Sequence, residues 1–542
     1  MLARTYKDLW ALEPDPTARH EHLARAHAAY LEAHRLSGGY WSGINVATTA
    51  LLLGARAEAE TAARQVREAC TGLHRADPDR GDLYWVLATL GEACLVLRDQ
   101  EAALGWYARA AGLGRDRIGD LVSSRRNARL ILRHLGTDTA ALDACFAIPR
   151  VAAFAGHLVD HPGRDRPRFP PELEPAVRAA VTERLARGGV GFGFTSAACG
   201  ADIIFLEALA ELGGKSHVVL PYNREQFVRT SVDIVPGADW AARFDRALAR
   251  ATEVVVASDH PLGSGSISYE YAFRLLDGGA GVRADELDTE LVCLAVWDGE
   301  PGDGRGGTAT AVEHWKRRGR RLEIVDLTEL RHRAAPAIVT TPGGDSPPRQ
   351  PTRDTERASG FEPRIVGLLF ADAPGFSRLN DLELPLFVDR YLGLVASELG
   401  RLGAPPLLVN TWGDGLYLVF ERVRDAGVFA LGLCRAVVET DWKALGFSSE
   451  MSIRIGLHAG PAYACMDPVT RRPNYIGAHV SRAARIEPIT PPGAVYASGA
   501  FAALAVAEGV GEFACSYVGP TPLAKGYGTF PTFLVRPAHG LR

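Results

Sequence analysis

Two acidic residues sit where carboxylates can do chemistry. Asp372 ends the apolar run 365–371, and Asp414 lies between Gly413 and Gly415, which join the apolar runs 407–412 and 416–420. Asp-Gly between two such runs predicts a β-hairpin with Asp414 at its tip. A helical pattern over 382–401 leaves the first strand room to lie beside that hairpin. Carboxylates at neighbouring strand ends can share divalent cations and hold a triphosphate through them. Taken alone, Asp residues at turns are more often caps or turn formers.

The surrounding residues add context. Leu369-Phe-Ala-Asp-Ala-Pro-Gly-Phe-Ser377, Trp412-Gly-Asp-Gly415, Arg454-Ile-Gly-Leu-His-Ala-Gly-Pro461, Gly477-Ala-His-Val-Ser-Arg-Ala-Ala-Arg-Ile-Glu487, Pro492-Gly493 and Lys525-Gly526 occur in that order. Over 364–535 this set resembles the catalytic domain of class III adenylate and guanylate cyclases. The resemblance implies an α+β, ferredoxin-like βαββαβ core that works as a homodimer, each active site drawing on both subunits. It implies that Asp372 and Asp414, with the Ala373 carbonyl, bind two Mg²⁺ or Mn²⁺ ions. Phe370, Ala373, Gly375, Phe376 and Ser377 would wrap the phosphates, and Arg454 would pair with phosphate. Arg485 and Lys525 of the second copy would stabilise charge on the triphosphate and in the transition state.

Three positions depart from the family pattern. Ser481 stands where an Asn is usual, Asn410 where adenine-selecting members carry Lys, and Asn474 where they carry Asp or Thr. Asn offers both a donor and an acceptor, so the base stays open, with ATP the foremost candidate. His458 and His479 read as packing or interface residues. For Arg454 and Arg485 the bland alternatives are a strand-surface arginine and a helix-surface charge paired with Glu487.

Between 148 and 328, five short apolar strands, at 151–154, 190–194, 216–220, 253–257 and 291–296, alternate with helical patterns, which predicts an α/β domain with a parallel sheet and a ligand edge at the strand C-termini. Gly156 and His157 follow the first strand, with Arg164 nearby. Ser196 and Gly200 lie between a strand and a helix, and Gly263 and Gly265 precede Glu270. The arrangement resembles the Rossmann-like, nucleotide-sensing superfamily that includes lysine-decarboxylase-like (LOG-type) proteins, which carry a Gly-Gly-x-Gly-Thr-x-x-Glu element. It implies a nucleotide ligand, with a purely structural set of tight turns as the alternative and glycosidic hydrolysis by Glu270 as a third reading.

Residues 1–147 are rich in Ala, Leu and Arg at helical spacing, and Tyr40-Trp41 is echoed by Tyr84-Trp85. This resembles a divergent tetratricopeptide-like array, with a period longer than the usual ~34 residues. It reads as a scaffold or as a surface for a protein or ligand. The Pro- and Gly-rich stretch 329–362 reads as a flexible linker before the last domain, 363–542.

Composition bounds these readings. The 542 residues carry 60 basic and 64 acidic side chains, a net charge of -4, which argues against a nucleic-acid partner. No run of about 18 apolar residues predicts a membrane span, and the N-terminus lacks a signal-peptide core. Eight cysteines without a CxxC pair indicate neither a disulfide framework nor a zinc ribbon. The expectation is a cytoplasmic nucleotide cyclase, yielding a 3′,5′-cyclic nucleotide and pyrophosphate, regulated by its N-terminal domains. The alternatives are a nucleotide-binding signalling module without catalysis, and a nucleotide hydrolase in the middle domain.

Overall fold

The computed structural model describes residues 2–13, 15–162, 164, 166–263, 265–301, 307–334, 361–523 and 528–538. The chain divides into two compact units. One runs to Pro149 and includes Glu286–Thr289; the other holds Arg150–Asp285 and Glu290–Ala538. Among the described residues no helix is long and apolar enough to cross a membrane.

The first unit is helical throughout its described residues, with helices Pro16–Ser37, Tyr40–Leu52, Arg56–Ala76, Leu83–Val96, Gln100–Leu113 and Ile118–His134 as its main elements. The repeated aromatic pair has a physical role. Tyr40 donates from its hydroxyl to Asp82 at 2.8 Å, just before helix Leu83–Val96. The Tyr84 hydroxyl, one repeat on, lies 2.9 Å from Ser124 on helix Ile118–His134. Each tyrosine thus ties its helical pair to the next, as stacked repeats require.

The second unit contains two sheets. The first is entirely parallel, with strands β1 (Arg150–Gly156), β2 (Val190–Thr195), β3 (Lys215–Leu220), β4 (Glu253–Val256), β5 (Leu291–Trp297) and β6 (Arg321–Asp326). Their spatial order is β4-β3-β2-β1-β5-β6. The order reverses at β1, so the crevice between the C-terminal ends of β1 and β5 is the place where such sheets take ligands. Sequence patterning marked the first five strands and missed β6, whose Arg321, Glu323 and Asp326 interrupt the apolar run. Residues 329–334 are not linker: helix Leu327–Ala334 includes them, anchored by buried Leu327 and by Asp326 accepting from the Thr328 and Glu329 N–H groups. The rest of the predicted linker, to 360, lies outside the described residues.

The second sheet is built from β7 (Glu362–Asp372), β8 (Leu408–Trp412), β9 (Gly415–Phe420), β10 (Arg454–Met466), β11 (Pro473–Ile476), β12 (Ala494–Ser498), β13 (Phe513–Pro522) and β14 (Thr529–Pro537). Their order is β13-β14-β12-β10-β7-β9-β8, with β11 paired on β10. Strand β7 is central, antiparallel to both β9 and β10, and alternates with helices in a βαββαβ pattern. The predicted helix 382–401 is interrupted by a π-turn over Phe387–Tyr391. That turn drops Phe387 and Tyr391 into a column of rings with Phe376 and Trp442, at centroid spacings of 4.6–5.5 Å.

The two sheets of this unit meet through helix Ser266–Glu286. A Cβ on Gly278 would lie 1.7 Å from the Ala503 carbonyl oxygen, and one on Gly281 would lie 2.4 Å from Val506. Only glycine permits helix Gly499–Glu508 to come so close. Gly278→Ala is expected to destabilise the second unit by about 1–3 kcal/mol, the usual range for overpacking, as measured by urea unfolding.

Candidate active site

The register of the second sheet assembles the carboxylates. In the β7–β9 pair Ala371 faces Leu416, and in the β8–β9 hairpin Trp412 faces Gly415, which sets Asp414 beside the end of β7. Asp372 and Asp414 hydrogen-bond to each other. Burial, followed by that hydrogen bond and the Asp372 charge, pushes the Asp414 carboxyl up to about 6. The third participant comes from β10, where Arg454 pairs in register with Asp372 and forms an ion pair with it. Arg454 Nε is also 2.9 Å from Glu487 Oε1.

Glu487, by sequence a surface partner for Arg485, faces Arg454 in the structure. Burial raises its carboxyl to about 7, with Arg454 opposing and Asp372 and Asp414 adding to the rise. A legible signal for this placement was Gly456, two residues after Arg454 on a strand. A Cβ there would lie 2.5 Å from the Glu487 backbone nitrogen, and glycine within a strand marks such an approach.

The loop after β7 curls over the hairpin. Gly375 takes a left-handed conformation (φ +94°), which closes the turn through the Phe376 N–H to Ala373 carbonyl bond of 3.2 Å. The Phe376 ring lies against Phe387 and 3.7 Å from where a Gly413 Cβ would be. Ala373 is buried, Ser377 is exposed, and the Phe370 ring stacks on Tyr417 at 4.6 Å. Asn410 is exposed on β8. Asn474 lies on β11 with its Oδ1 accepting from the Tyr475 N–H at 2.8 Å, and the Tyr417 hydroxyl ties β9 to β11 through the Tyr475 carbonyl. Ser481 is exposed on helix Ala478–Ala483, outside the network joining Asp372, Asp414, Arg454 and Glu487; Arg485 is half-buried just beyond that helix. Lys525 lies outside the described residues.

The middle sheet distributes its predicted residues along one edge, after the ends of β1, β2 and β4. A Cβ on Gly156 would sit 2.3 Å from that of Ala201, and one on Gly200 (φ +98°) would sit 2.5 Å from the Val159 nitrogen. Both glycines therefore serve close backbone packing. At the β1–β5 crevice, His157 Nε2 is 3.0 Å from Asp298 Oδ1, and Arg168 donates two hydrogen bonds to the same carboxylate at 2.6 and 2.7 Å. Burial opposes charge on Asp298, but Arg168, the Glu300 N–H and His157 outweigh it and hold the carboxyl below its usual range. Arg164 is exposed and Ser196 half-buried. Gly263 and Gly265, both at positive φ, shape the turn into helix Ser266–Glu286. Glu270 is 2.6 Å from Arg274, an i,i+4 ion pair.

Comparison with known proteins locates similarity in two places. Residues 1–52 match the tetratricopeptide repeats-sensor (TPR-S) family model. A stretch covering 24% of the chain is 28% identical to an adenylate cyclase of Mycosarcoma maydis, and spans 6% of that protein's length. The structure is similar to the guanylate cyclase domain of RhGC from Catenaria anguillulae, solved in complex with GTP. That match has 20% identity and covers 33% of this chain and 100% of that one, at a TM-score of 0.29. It is similar also to the adenylyl cyclase CyaB from P. aeruginosa, with 19% identity over 33% of this chain and 97% of that one, TM-score 0.29.

The raised carboxyls have a measurable consequence. Asp414 and Glu487 hold protons in the folded chain that the unfolded chain releases, so they cost stability as pH rises from about 4 through 6–7. Asp414→Asn is expected to raise stability without added cations at pH 8 by about 1 kcal/mol, allowing for solvent screening. At pH 4 it should give no gain. Urea unfolding at both pH values checks this.

Proposed function

We propose that the segment from 363 onward is a nucleotide cyclase domain that converts a nucleoside triphosphate to its 3′,5′-cyclic nucleotide and pyrophosphate. The observation that carries this reading is the meeting of Asp372 and Asp414 at adjacent strand ends, with Arg454 aligned beside them. The residues fit divalent cations: burial, together with the adjoining Asp372 carboxylate, pushes Asp414 up to about 6, and a shared Mg²⁺ or Mn²⁺ would favour the ionised form of both. Among the described residues no three or more His, Cys, Asp or Glu side chains already form a metal cage. The Ala373 carbonyl and the nucleotide's own phosphates would complete the coordination. When bound, the ions supply activation of the ribose 3′ hydroxyl and charge neutralisation on the phosphates.

The remaining roles belong to the chain. The turn 373–377 would hold the phosphates against the hairpin, braced by the Phe376 ring. Arg454, shared in the free chain between Asp372 and Glu487, would exchange part of that pairing for phosphate oxygens. Arg485 and Lys525 of a second copy would stabilise charge as pyrophosphate departs, with Ser481 as a donor in place of the usual Asn. Asn410 and Asn474, on strands joined through Tyr417 and Tyr475, would read the base, with ATP the foremost substrate.

A homodimer fits the surface. Val409 on β8, Met466 at the end of β10, Val469 in the turn that follows and Ile476 on β11 are all exposed, as an apolar face awaiting its partner would be. The helical unit and the middle sheet would then act as the regulatory input. A hydrolase centred on Glu270 has less support, because Arg274 engages that carboxylate.

Two measurements test the reading. Full-length protein incubated with ATP, GTP, CTP and UTP plus Mn²⁺ should release a cyclic nucleotide, seen by mass spectrometry. Asp372→Ala should lower the rate at least about 10³-fold. Nucleotide binding without any cyclic product would favour a non-catalytic signalling module. Separately, Ile476→Asp should shift sedimentation from dimer toward monomer and make specific activity fall more steeply on dilution.

A further inference from the structure

Helix Ala478–Ala483, which carries Ser481 and leads into Arg485, is held by a hydrogen-bonded chain from the second sheet and by a ring from the middle segment. His458 on β10 and His479 on that helix are both buried, 1% and 7% exposed, with rings stacked at 14°. His458 Nδ1 lies 2.7 Å from Ser498 Oγ, and His458 Nε2 lies 2.9 Å from His479 Nδ1. Burial and Arg482 keep His479 neutral, its imidazolium acid form held down to about 3. Each neutral ring has one donor and one acceptor, so Ser498, His458 and His479 form one continuous hydrogen-bonded chain. Ser498 completes the chain by accepting from the Phe501 N–H at the start of helix Gly499–Glu508.

The contact from the middle α/β segment comes through Tyr271. Tyr271, on helix Ser266–Glu286, presents its ring edge-on to His479 at 5.2 Å and donates its hydroxyl to the Ala459 carbonyl at 3.0 Å. A Cβ on Gly460 would lie 2.3 Å from His479 Nδ1, so the glycine next to Ala459 makes room for the ring. The helix carrying Tyr271 is itself fixed within its own segment. Asp277 is fully buried and accepts from Trp315 Nε1 at 2.8 Å and from Arg320 at 3.2 Å.

We propose that Tyr271 and His479 are positioning residues through which the middle α/β segment sets the placement of Ser481 and Arg485. This rests on the cyclase reading above. Any event that moves the turn through Gly263 and Gly265 reaches the 478–485 segment through Tyr271, by its ring contact with His479 and its bond to the Ala459 carbonyl.

The test uses the full-length chain and its Tyr271→Ala and Tyr271→Phe variants, assayed with ATP and with GTP in Mn²⁺. Tyr271→Ala should lower kcat about tenfold or more with KM within about twofold, since misplacing a transition-state group spares ground-state binding. Tyr271→Phe, which keeps the ring and loses only the hydroxyl, should fall between it and the parent. If Tyr271→Ala does not fold, Tyr271→Phe carries the test alone. Unchanged kcat in a folded variant overturns the proposal, as does a rise in KM alone. Hydrogen–deuterium exchange gives a readout independent of turnover. Exchange over 478–485 should quicken in the variant, while that of helix Ala201–Glu211 stays as in the parent. A parent chain that forms no cyclic product refutes the cyclase reading, and the exchange comparison then decides the positioning claim by itself.

Discussion

The candidate site is organised by a repulsion. Two carboxylates, Asp372 and Asp414, are held in hydrogen-bonding contact by the pairing of β7 with β9 and by a hairpin that leaves Asp414 little freedom. Like charges at that distance are unfavourable when both ionise, and the surrounding fold accommodates them. Arg454 is brought in by the register of β10, Glu487 braces Arg454 from behind, and a column of aromatic rings supports the loop above. A protein that needed only stability would gain from neutralising one member.

Much of this was legible in the chain. The apolar run ending on Asp372 and the Gly-Asp-Gly turn gave strand, hairpin and facing carboxylates from local pattern alone, because short-range sterics decide all three. The alternation of the middle segment likewise gave five of its six parallel strands. Two features were hidden for one reason: they depend on contacts distant in sequence. Glu487 looks like a helix-surface charge until Gly456 lets its backbone approach β10. The charged strand β6 lacks a continuous apolar run and is defined by its pairing with β5. The interruption over Phe387–Tyr391 left no trace in the periodicity, since a π-turn shifts the phase by a single residue.

The histidines illustrate a different lesson. His458 and His479 read correctly as packing residues, and their rings are buried. Burial did not make them inert in the architecture, however. Neutral imidazoles with one donor and one acceptor each can join a strand to a helix in one continuous chain, and bonds in such chains polarise one another. That is a property of the pair, which no single position in the sequence reveals.

The seam at Gly278 and Gly281 bears on how this protein can be taken apart. The stretch 335–360, rich in proline and glycine, looks like the natural place to splice a foreign input onto the last domain. A cut there would strip helix Ser266–Glu286 from helix Gly499–Glu508, leaving Ala503 and Val506 without their cover and Glu508 without Arg274. Chimaeras that exchange the helical repeats and splice near Arg150 keep the seam whole. The two sheets, with helix Ser266–Glu286 between them, therefore travel as one part.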